Sequence, residues 1–467
     1  MIRILFTIFL ILILYFLKAP YYELIENKIF FYHYDFIELK INPPIKEKIY
    51  FFFTKKGEIV KGIGNKLFYV NKGNKIRIPC PWNLPQGIYT IKAFSPSKSL
   101  RNNFSLTPVI VTEKEKRKME KNILAITWEN NKPFSILKIP SPFGETYNWK
   151  GIVNWAKFLG ANTIFFLTGQ TFNTYDKVWL PQNIKALPLI AEESKKNNIM
   201  LGAWVSCYLS FGENQKFYKK SYYYYPESDV IKETREISIT NRKKIIDIVK
   251  LLKKIEKVKG VDFIGLDYIR PAKGGYELVD DFVKDMEIEV PEGFYNLNKF
   301  ERMKWLGRKI RIEKNKKIID MWNWYRARRM ALIIKEIKER INSKKPLFAF
   351  VLSWMRGWEH GQDMIMFKDA GVDFFNLMLY EADEESFKNL IKSLKSYLRE
   401  NQVNLILGNQ IDWAVHQYKE PGPVHYYRRL KYAYENLKNL KVVNGFFLHD
   451  LSRAFWGRKG NYHYNEW

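Results

Sequence analysis

The feature that most constrains the fold is an alternation of strand and helix patterns that starts at Asn122 and continues almost to the C-terminus. Short runs rich in β-branched and aromatic residues recur, and amphipathic segments such as 242–258 and 320–341 separate most of them. Strands that alternate with helices in this way form parallel βαβ units. The predicted strands are 123–128, 163–167, 200–207, 263–268, 347–354, 374–380, 404–410 and 445–449.

Eight strand–helix units are typical of a (β/α)8 TIM barrel. The alternative is a doubly wound open sheet, and the absence of a glycine-rich phosphate loop after the first strand disfavours it. We therefore predict an α/β fold in which residues 121–467 form a TIM barrel.

The chain ahead of this region follows a different pattern. Residues 22–112 alternate apolar and polar side chains in short runs that Gly, Pro and Asn separate, which is typical of an all-β domain. The stretch 84–90 resembles the hairpin entry of immunoglobulin-like accessory domains. We predict a small immunoglobulin-like β-sandwich over 22–112, joined to the barrel by a charged linker at 113–121.

The N-terminus has the sequence pattern of a targeting signal. Arg3 precedes an apolar run from Ile4 to Leu17, and Lys18 follows it. A positive residue ahead of an apolar run resembles a secretory signal, and the run is short for a membrane span, which needs about 20 residues. We predict that residues 1–20 are an export signal or membrane anchor. The protein would then be secreted, or anchored on the outer side of the cytoplasmic membrane.

The net charge of +28 would attract polyanions such as nucleic acid, acidic polysaccharide or an anionic membrane. The sequence has no zinc-finger spacing and no RNA-binding aromatic motif, so we expect no nucleic-acid partner. Lysines spread along the predicted helices favour a solvated surface as the main source of the charge.

Candidate catalytic residues stand at the predicted strand ends, because TIM barrels place their active sites there. Asp267 ends the fourth strand, and Glu381 follows the sixth. Glycoside cleavage typically uses two carboxyl groups, and aromatic rings around them hold the sugar. We predict Asp267 and Glu381 as the catalytic pair. The predicted substrate contacts are Trp128, Trp204, Tyr268, Arg270, Trp354, Tyr380, Asp412, His449 and Asp450.

The roles within the pair remain open. We expect Asp267 to stay ionised as nucleophile or base, with Arg270 lowering its pKa; the alternative is a structural ion pair with Arg270. We expect Glu381 to be the general acid with a raised pKa; the alternative is an exposed loop residue. The competing acids are Glu359, Asp412 and Asp450.

The segment 260–271 resembles the fourth-strand motif of glycosyl-hydrolase-like family 10, a group of exported bacterial TIM-barrel proteins. The Asp-Tyr-Ile-Arg tract at 267–270 carries this resemblance, and stretches at 239–242, 324–329 and 372–380 support it. Two positions depart from the pattern. Gly265 replaces a residue that is often His or polar, and Pro271 directly follows Arg270. The resemblance covers 123–450 and implies a hydrolase.

We therefore expect a glycoside hydrolase that acts on a cell-envelope or environmental polysaccharide. The alternative is a non-catalytic carbohydrate-binding protein on the same barrel. A second carboxyl group facing Asp267 across the barrel mouth distinguishes the two. A polysaccharide deacetylase would need a set of metal ligands, and with 6 His, 2 Cys and no tight cluster we expect neither a metal nor a cofactor.

The N-terminal pattern predicts export. Fractionation of cells that produce the full-length chain should place it in a membrane or extracytoplasmic fraction, whereas a chain that begins after residue 20 should stay inside. Full-length protein in the soluble cytoplasmic fraction, with no membrane association, would contradict the prediction.

Overall fold

The computed structural model describes a chain of two compact units. The first comprises residues 1–113, 278–302 and 314–325, and the second comprises 114–277, 303–313 and 326–467. The predicted boundaries at 22–112 and 121–467 stay a prediction, but contacts group 278–302 and 314–325 with the first unit. The described residues are 21–24, 28–42, 48–60, 66–70, 75–94, 107–129, 134–144, 148–170, 181–208, 218–271, 273–353, 357–380, 383–410 and 423–456.

The elements follow the order that the sequence patterns predict, with strands first and alternating strands and helices after them. The strands are β1 Tyr21–Leu24, β2 Phe30–Phe31, β3 Phe36–Asn42, β4 Lys48–Lys55, β5 Glu58–Ile59, β6 Lys66–Val70, β7 Lys75–Pro79, β8 Gly87–Phe94, β9 Thr107–Val111, β10 Ile123–Trp128, β11 Thr163–Gln170, β12 Met200–Ser206, β13 Lys220–Tyr225, β14 Val230–Ile237, β15 Phe263–Asp267, β16 Leu347–Leu352, β17 Phe374–Met378, β18 Leu405–Gln410 and β19 Val443–His449. The helices are α1 Gly151–Phe158, α2 Pro181–Lys196, α3 Arg242–Glu256, α4 Val279–Asp285, α5 Lys299–Arg311, α6 Lys316–Ile341, α7 Met364–Ala370, α8 Glu384–Tyr397, α9 Pro423–Leu437 and α10 Leu451–Trp456.

The first unit contains two sheets. One has the order β1-β3-β7, and the other has the order β2-β9-β8-β4-β5 with β6 also paired to β4. Alternate residues of both sheets, among them Ile37, Ile78, Phe53 and Val109, meet in one buried core. The described residues between 21 and 111 are therefore all-β, while an immunoglobulin-like topology stays a prediction.

Residues from the later segments complete the first unit. The indole N–H of Trp324 donates to the carbonyl oxygen of Cys80 over 2.9 Å, and the Trp324 ring lies 5.1 Å from that of Phe36. The indole N–H of Trp82 donates to the Asp320 carboxylate over 2.8 Å. Both indoles are buried, and these contacts satisfy the buried N–H groups.

The second unit contains a closed barrel of parallel strands in the order β10-β11-β12-β15-β16-β17-β18-β19. All eight predicted strands are confirmed, and their bounds differ from the predicted ones by three residues at most. The predicted TIM barrel is therefore correct.

The run of tyrosines at 222–225 lies in a strand. These residues belong to β13, which pairs with β14 in an antiparallel hairpin after the third barrel strand. Alternation along the strand explains the run, because Tyr224 packs against Gly307 while Tyr223 and Tyr225 contact each other on the opposite face.

The interior of the barrel is filled by phenylalanine rings. Phe348 stacks on Phe374 with ring centroids 5.2 Å apart and lies 4.8 Å from Phe165. Glycines on other strands make room for these rings, since a Cβ at Gly265 would lie 2.2 Å from the ring of Phe348. A Cβ at Gly408 would likewise lie 1.9 Å from the ring of Phe447. The departure of Gly265 from the family pattern thus has a steric cause.

Within the described ranges, no helix is long and apolar enough to cross a membrane. The predicted signal at 1–20 lies outside those ranges.

A Gly265→Ala substitution should destabilise the protein by about 1–3 kcal/mol, because overpacking forces side chains off their rotamers. Phe348→Leu should restore part of that loss in the double variant, since it removes the ring atoms that the new methyl group meets. Urea unfolding of the single and double variants measures both effects. Additive losses in the double variant would show that the two residues do not oppose each other.

Candidate active site

A layer of polar side chains lies above the aromatic core, at the C-terminal ends of the barrel strands. Strand alternation puts Thr127, Ser206, Asp267, Gln410 and His449 on the inner wall, each two residues beyond an inward-facing core position or glycine. Ser206 is the register partner of Asp267, and Gln410 is that of His449. The inner wall therefore changes from apolar to polar at the end where TIM barrels carry their chemistry.

Asp267 is a buried acid in this layer. Its side chain is 6% exposed, and its Oδ1 accepts the backbone N–H of Tyr268 over 2.6 Å. Burial raises the pKa of Asp267 to about 6, against the opposing effects of Arg270, the Tyr268 amide and Arg453. The expectation that Arg270 would lower this pKa has the right sign for Arg270, but desolvation outweighs it. The carboxyl group is therefore protonated for part of the time near neutral pH.

A second carboxylate, Glu129, follows β10. Its Oε2 lies 3.1 Å from Nη2 of Arg453, its Oε1 lies 3.5 Å from Nδ1 of His449, and its side chain is 12% exposed. The same Nδ1 of His449 is 3.0 Å from the Thr127 hydroxyl. Sequence reasoning did not select Glu129, although its place directly after the first barrel strand was the available signal.

Asp450 contacts both Glu129 and Arg453. It has no exposed surface, and its carboxylate accepts the Glu129 backbone N–H at 3.3 Å, the Ser452 hydroxyl at 2.6 Å and the Ser452 N–H at 2.9 Å. Nε of Arg453 lies 3.7 Å from it. Asp450 therefore positions Glu129 and Arg453, and its predicted role as a substrate contact stays a prediction.

Two tyrosines connect the carboxylates. The Tyr380 ring stacks on His449 at 5.1 Å, and its buried hydroxyl makes no hydrogen bond within the described part of the chain. Burial raises the pKa of Tyr380, and the negative charges of Glu129 and Asp267 raise it further. The pKa of Tyr268 is raised by burial and by the same two acids. Asp267 and Glu129 therefore both raise the pKa of these two tyrosines.

Two of the predicted tryptophan contacts, Trp128 and Trp204, are buried by core packing. Trp204 belongs to the barrel core, 5.3 Å from the Phe350 ring, and only its indole N–H, which has no hydrogen-bond partner among the described residues, could face a ligand. Alternation puts Trp128 on the outer face of β10, because Ala125 and Thr127 occupy the inner face. Core packing accounts for both rings.

Three predicted site residues lie outside the described residues: Glu381, Trp354 and Asp412. Their assignments stay predictions. Of the competing acids, Glu359 is exposed in the turn after β16 and Asp450 is fully buried. Among the residues that the structure describes, no group of three His, Cys, Asp or Glu side chains could hold a metal ion.

Comparison with known proteins adds little beyond the fold. No family model matches the chain, and no curated protein matches its sequence. The resemblance to glycosyl-hydrolase-like family 10 therefore stays a prediction.

Similar solved structures include the GH53 catalytic domain of Ignisphaera aggregans, at 11% identity and a TM-score of 0.39, covering 74% of this chain and 89% of that one. A GH113 beta-1,4-mannanase has 10% identity and a TM-score of 0.39, with 71% and 88% covered. XacCel5A in complex with cellopentaose has 14% identity and a TM-score of 0.38, with 71% and 89% covered. These likenesses are too weak to argue for a reaction.

The pKa of Asp267 makes stability depend on pH. A folded-state pKa of about 6, above the ordinary 3.8, gives stability that is complete below about pH 4 and is lost as pH rises through 6. Asp267→Asn removes that loss, so the variant should match the wild type near pH 4. At pH 8 it should exceed the wild type by up to about 3 kcal/mol.

Asp450→Asn is the matched control at the same rim. It weakens a satisfied network, so it should destabilise the protein at pH 8 by about 1–3 kcal/mol. Urea unfolding at both pH values measures the two variants. An Asp267→Asn variant no more stable than the wild type at pH 8 would show that the carboxyl group is not strained by burial.

Proposed function

We propose that the barrel is a glycoside hydrolase in which Asp267 is the general acid. The observation that carries the proposal is a buried carboxyl group on the inner wall of the barrel mouth with a pKa of about 6. A general acid works best when its pKa lies near the working pH, and glycoside hydrolases obtain one by burying a carboxyl group. This assignment differs from the prediction, which gave the acid role to Glu381.

Glu129 is the second carboxylate of the proposed pair. Its strand, β10, is three strands away from β15 around the ring of eight, so the two acids approach the mouth from different sides. Arg453, 3.1 Å away, supplies a compensating positive charge, which favours the ionised form. An ionised carboxylate can attack the anomeric carbon or deprotonate a water molecule. Glu381 remains the predicted alternative for this role.

In the proposed reaction, Asp267 donates its proton to the glycosidic oxygen as the bond from that oxygen to the anomeric carbon breaks. The electron pair of that bond stays with the departing oxygen. Water supplies the hydroxyl group at the anomeric carbon, either directly with Glu129 as base or after a glycosyl–Glu129 intermediate. The second proton of the water returns to the carboxylates, so Asp267 is protonated again for the next cycle.

Sugar recognition would involve the tyrosines and His449. The buried Tyr380 hydroxyl makes no hydrogen bond within the described residues, so a substrate hydroxyl could supply its partner. Polar groups of this kind, next to aromatic rings, are typical of carbohydrate sites. We propose a polysaccharide substrate of the cell envelope or environment, and we propose that the protein meets it after export, with the N-terminus as signal or anchor.

The roles can be separated by leaving group. Asp267→Asn should lower kcat/KM on natural glycans by about 10²–10⁴-fold and much less on aryl glycosides with acidic leaving groups, which need no proton. The variant should also lose the decline in activity above about pH 6. Glu129→Gln should impair both substrate types. Reducing-end and chromogenic assays measure these effects.

Asp262→Asn is the control, because Asp262 precedes the same strand at the opposite end and should leave activity unchanged. Equal losses on both substrate types for Asp267→Asn would remove its acid role. A wild-type protein that binds glycans but cleaves none would favour the alternative function, a non-catalytic carbohydrate-binding protein.

A further inference from the structure

We propose that the substrate is an acidic saccharide whose negative group binds Arg270 beside Asp267. The inference rests on the proposed function and names its substrate class. Carboxylate, sulfate and phosphate substituents share the chemistry, which is a planar or tetrahedral anion with several acceptor oxygens.

Arg270 is a buried cation whose Nη1 has no hydrogen-bond partner in the described part of the chain. Its side chain is 11% exposed, and its Nη1 lies 4.0 Å from Oδ1 of Asp267, which is too long for a hydrogen bond. Nη1 is inaccessible to solvent and has no hydrogen-bond partner among the residues that the structure describes. A guanidinium has five N–H donors, and leaving a buried charge unsatisfied is costly. A bound anion would supply the missing acceptors.

Asp267 cannot fill that role. Its Oδ1 already accepts the Tyr268 amide N–H over 2.6 Å. As the proposed general acid it must also carry a proton at the start of each turnover, and in that state it gives Arg270 no negative charge. The positive charge of Arg270 is therefore not neutralised by Asp267 when the site is ready to react.

The surroundings of Arg270 are positive. His360 is buried, and its pKa is lowered to about 3 by desolvation and then by Arg270, Arg326 and Lys273. The imidazole is therefore neutral, and three cations share its neighbourhood. Arg326 donates from Nη1 to the carbonyl oxygen of Gly274 over 3.0 Å and from Nη2 to that of Glu359 over 2.7 Å. Nη1 of Arg270 has no such carbonyl acceptor among the described residues.

Its geometry is also fixed in advance. The guanidinium lies 4.6 Å from the centroid of the Tyr268 ring, which holds its plane. Pro271 follows directly and is packed on Gly361, where even a Cβ would come within 2.8 Å of the proline ring. A rigid, planar fork is the geometry that recognises a carboxylate with two parallel hydrogen bonds. The net charge of +28 would add attraction at long range.

Binding to the Asp267→Asn protein, in which cleavage is blocked, tests the inference. Calorimetry would compare a uronic-acid oligosaccharide with its neutral methyl ester, and a sulfated with a phosphorylated analogue. We expect the acidic oligosaccharide to bind about 10- to 100-fold more tightly than the ester. Adding Arg270→Gln should abolish that preference, and Arg270→Lys should retain part of it. Arg340→Gln, an exposed arginine on α6, should change nothing.

Equal affinity for the acid and its ester, or an equal loss for both on Arg270→Gln, would overturn the inference. If Arg270→Gln fails to fold, Arg270→Lys provides the test. The lysine cannot make two parallel hydrogen bonds, so this variant should lose affinity for the acidic oligosaccharide and not for the ester. Wild-type cleavage of neutral glycans that depends on Asp267, with no preference for acids, would leave the proposed function standing and remove this inference. Selective binding of acidic saccharides without cleavage would remove the proposed function and leave the inference about Arg270 standing.

Discussion

The packing of phenylalanine rings against glycines inside the barrel is the constraint on which the site depends. The ring of Phe348 occupies the space where a side chain at Gly265 would stand, so the interior is filled with apolar atoms. Asp267 is the next inward position on the same strand and therefore rests directly on that apolar layer. Water cannot solvate the carboxyl group from below, and this is the physical origin of its raised pKa.

Buried polar groups at the barrel mouth fall into two kinds. Asp450 is fully satisfied by Ser452, the Glu129 amide and Arg453, and it stabilises a fixed geometry. The Tyr380 hydroxyl and Nη1 of Arg270 lack hydrogen-bond partners among the described residues. Folded proteins rarely leave such groups unsatisfied without a reason. The satisfied kind positions the site, and the unsatisfied kind indicates where a ligand would bind.

The electrostatic pattern assigns different roles to similar residues. Oε2 of Glu129 lies 3.1 Å from Nη2 of Arg453, whereas Oδ1 of Asp267 lies 4.0 Å from Nη1 of Arg270. At Asp267 desolvation outweighs the nearby cation, so its carboxyl group holds its proton to higher pH than an exposed aspartate does. A pair whose environments differ in this way supplies an acid and a base from the same chemistry.

The sequence by itself determined the architecture. Hydrophobic periodicity is a local property, so the eight barrel strands, the strands of the first unit and the position of Asp267 at a strand end could all be predicted. Only the tertiary structure decided the partners. The contact between Glu129 and Arg453, 324 positions apart, the outward face of Trp128 and the burial of Asp450 depend on which strands become neighbours. The raised pKa of Asp267 depends on desolvation, which many distant residues produce together and no local pattern records.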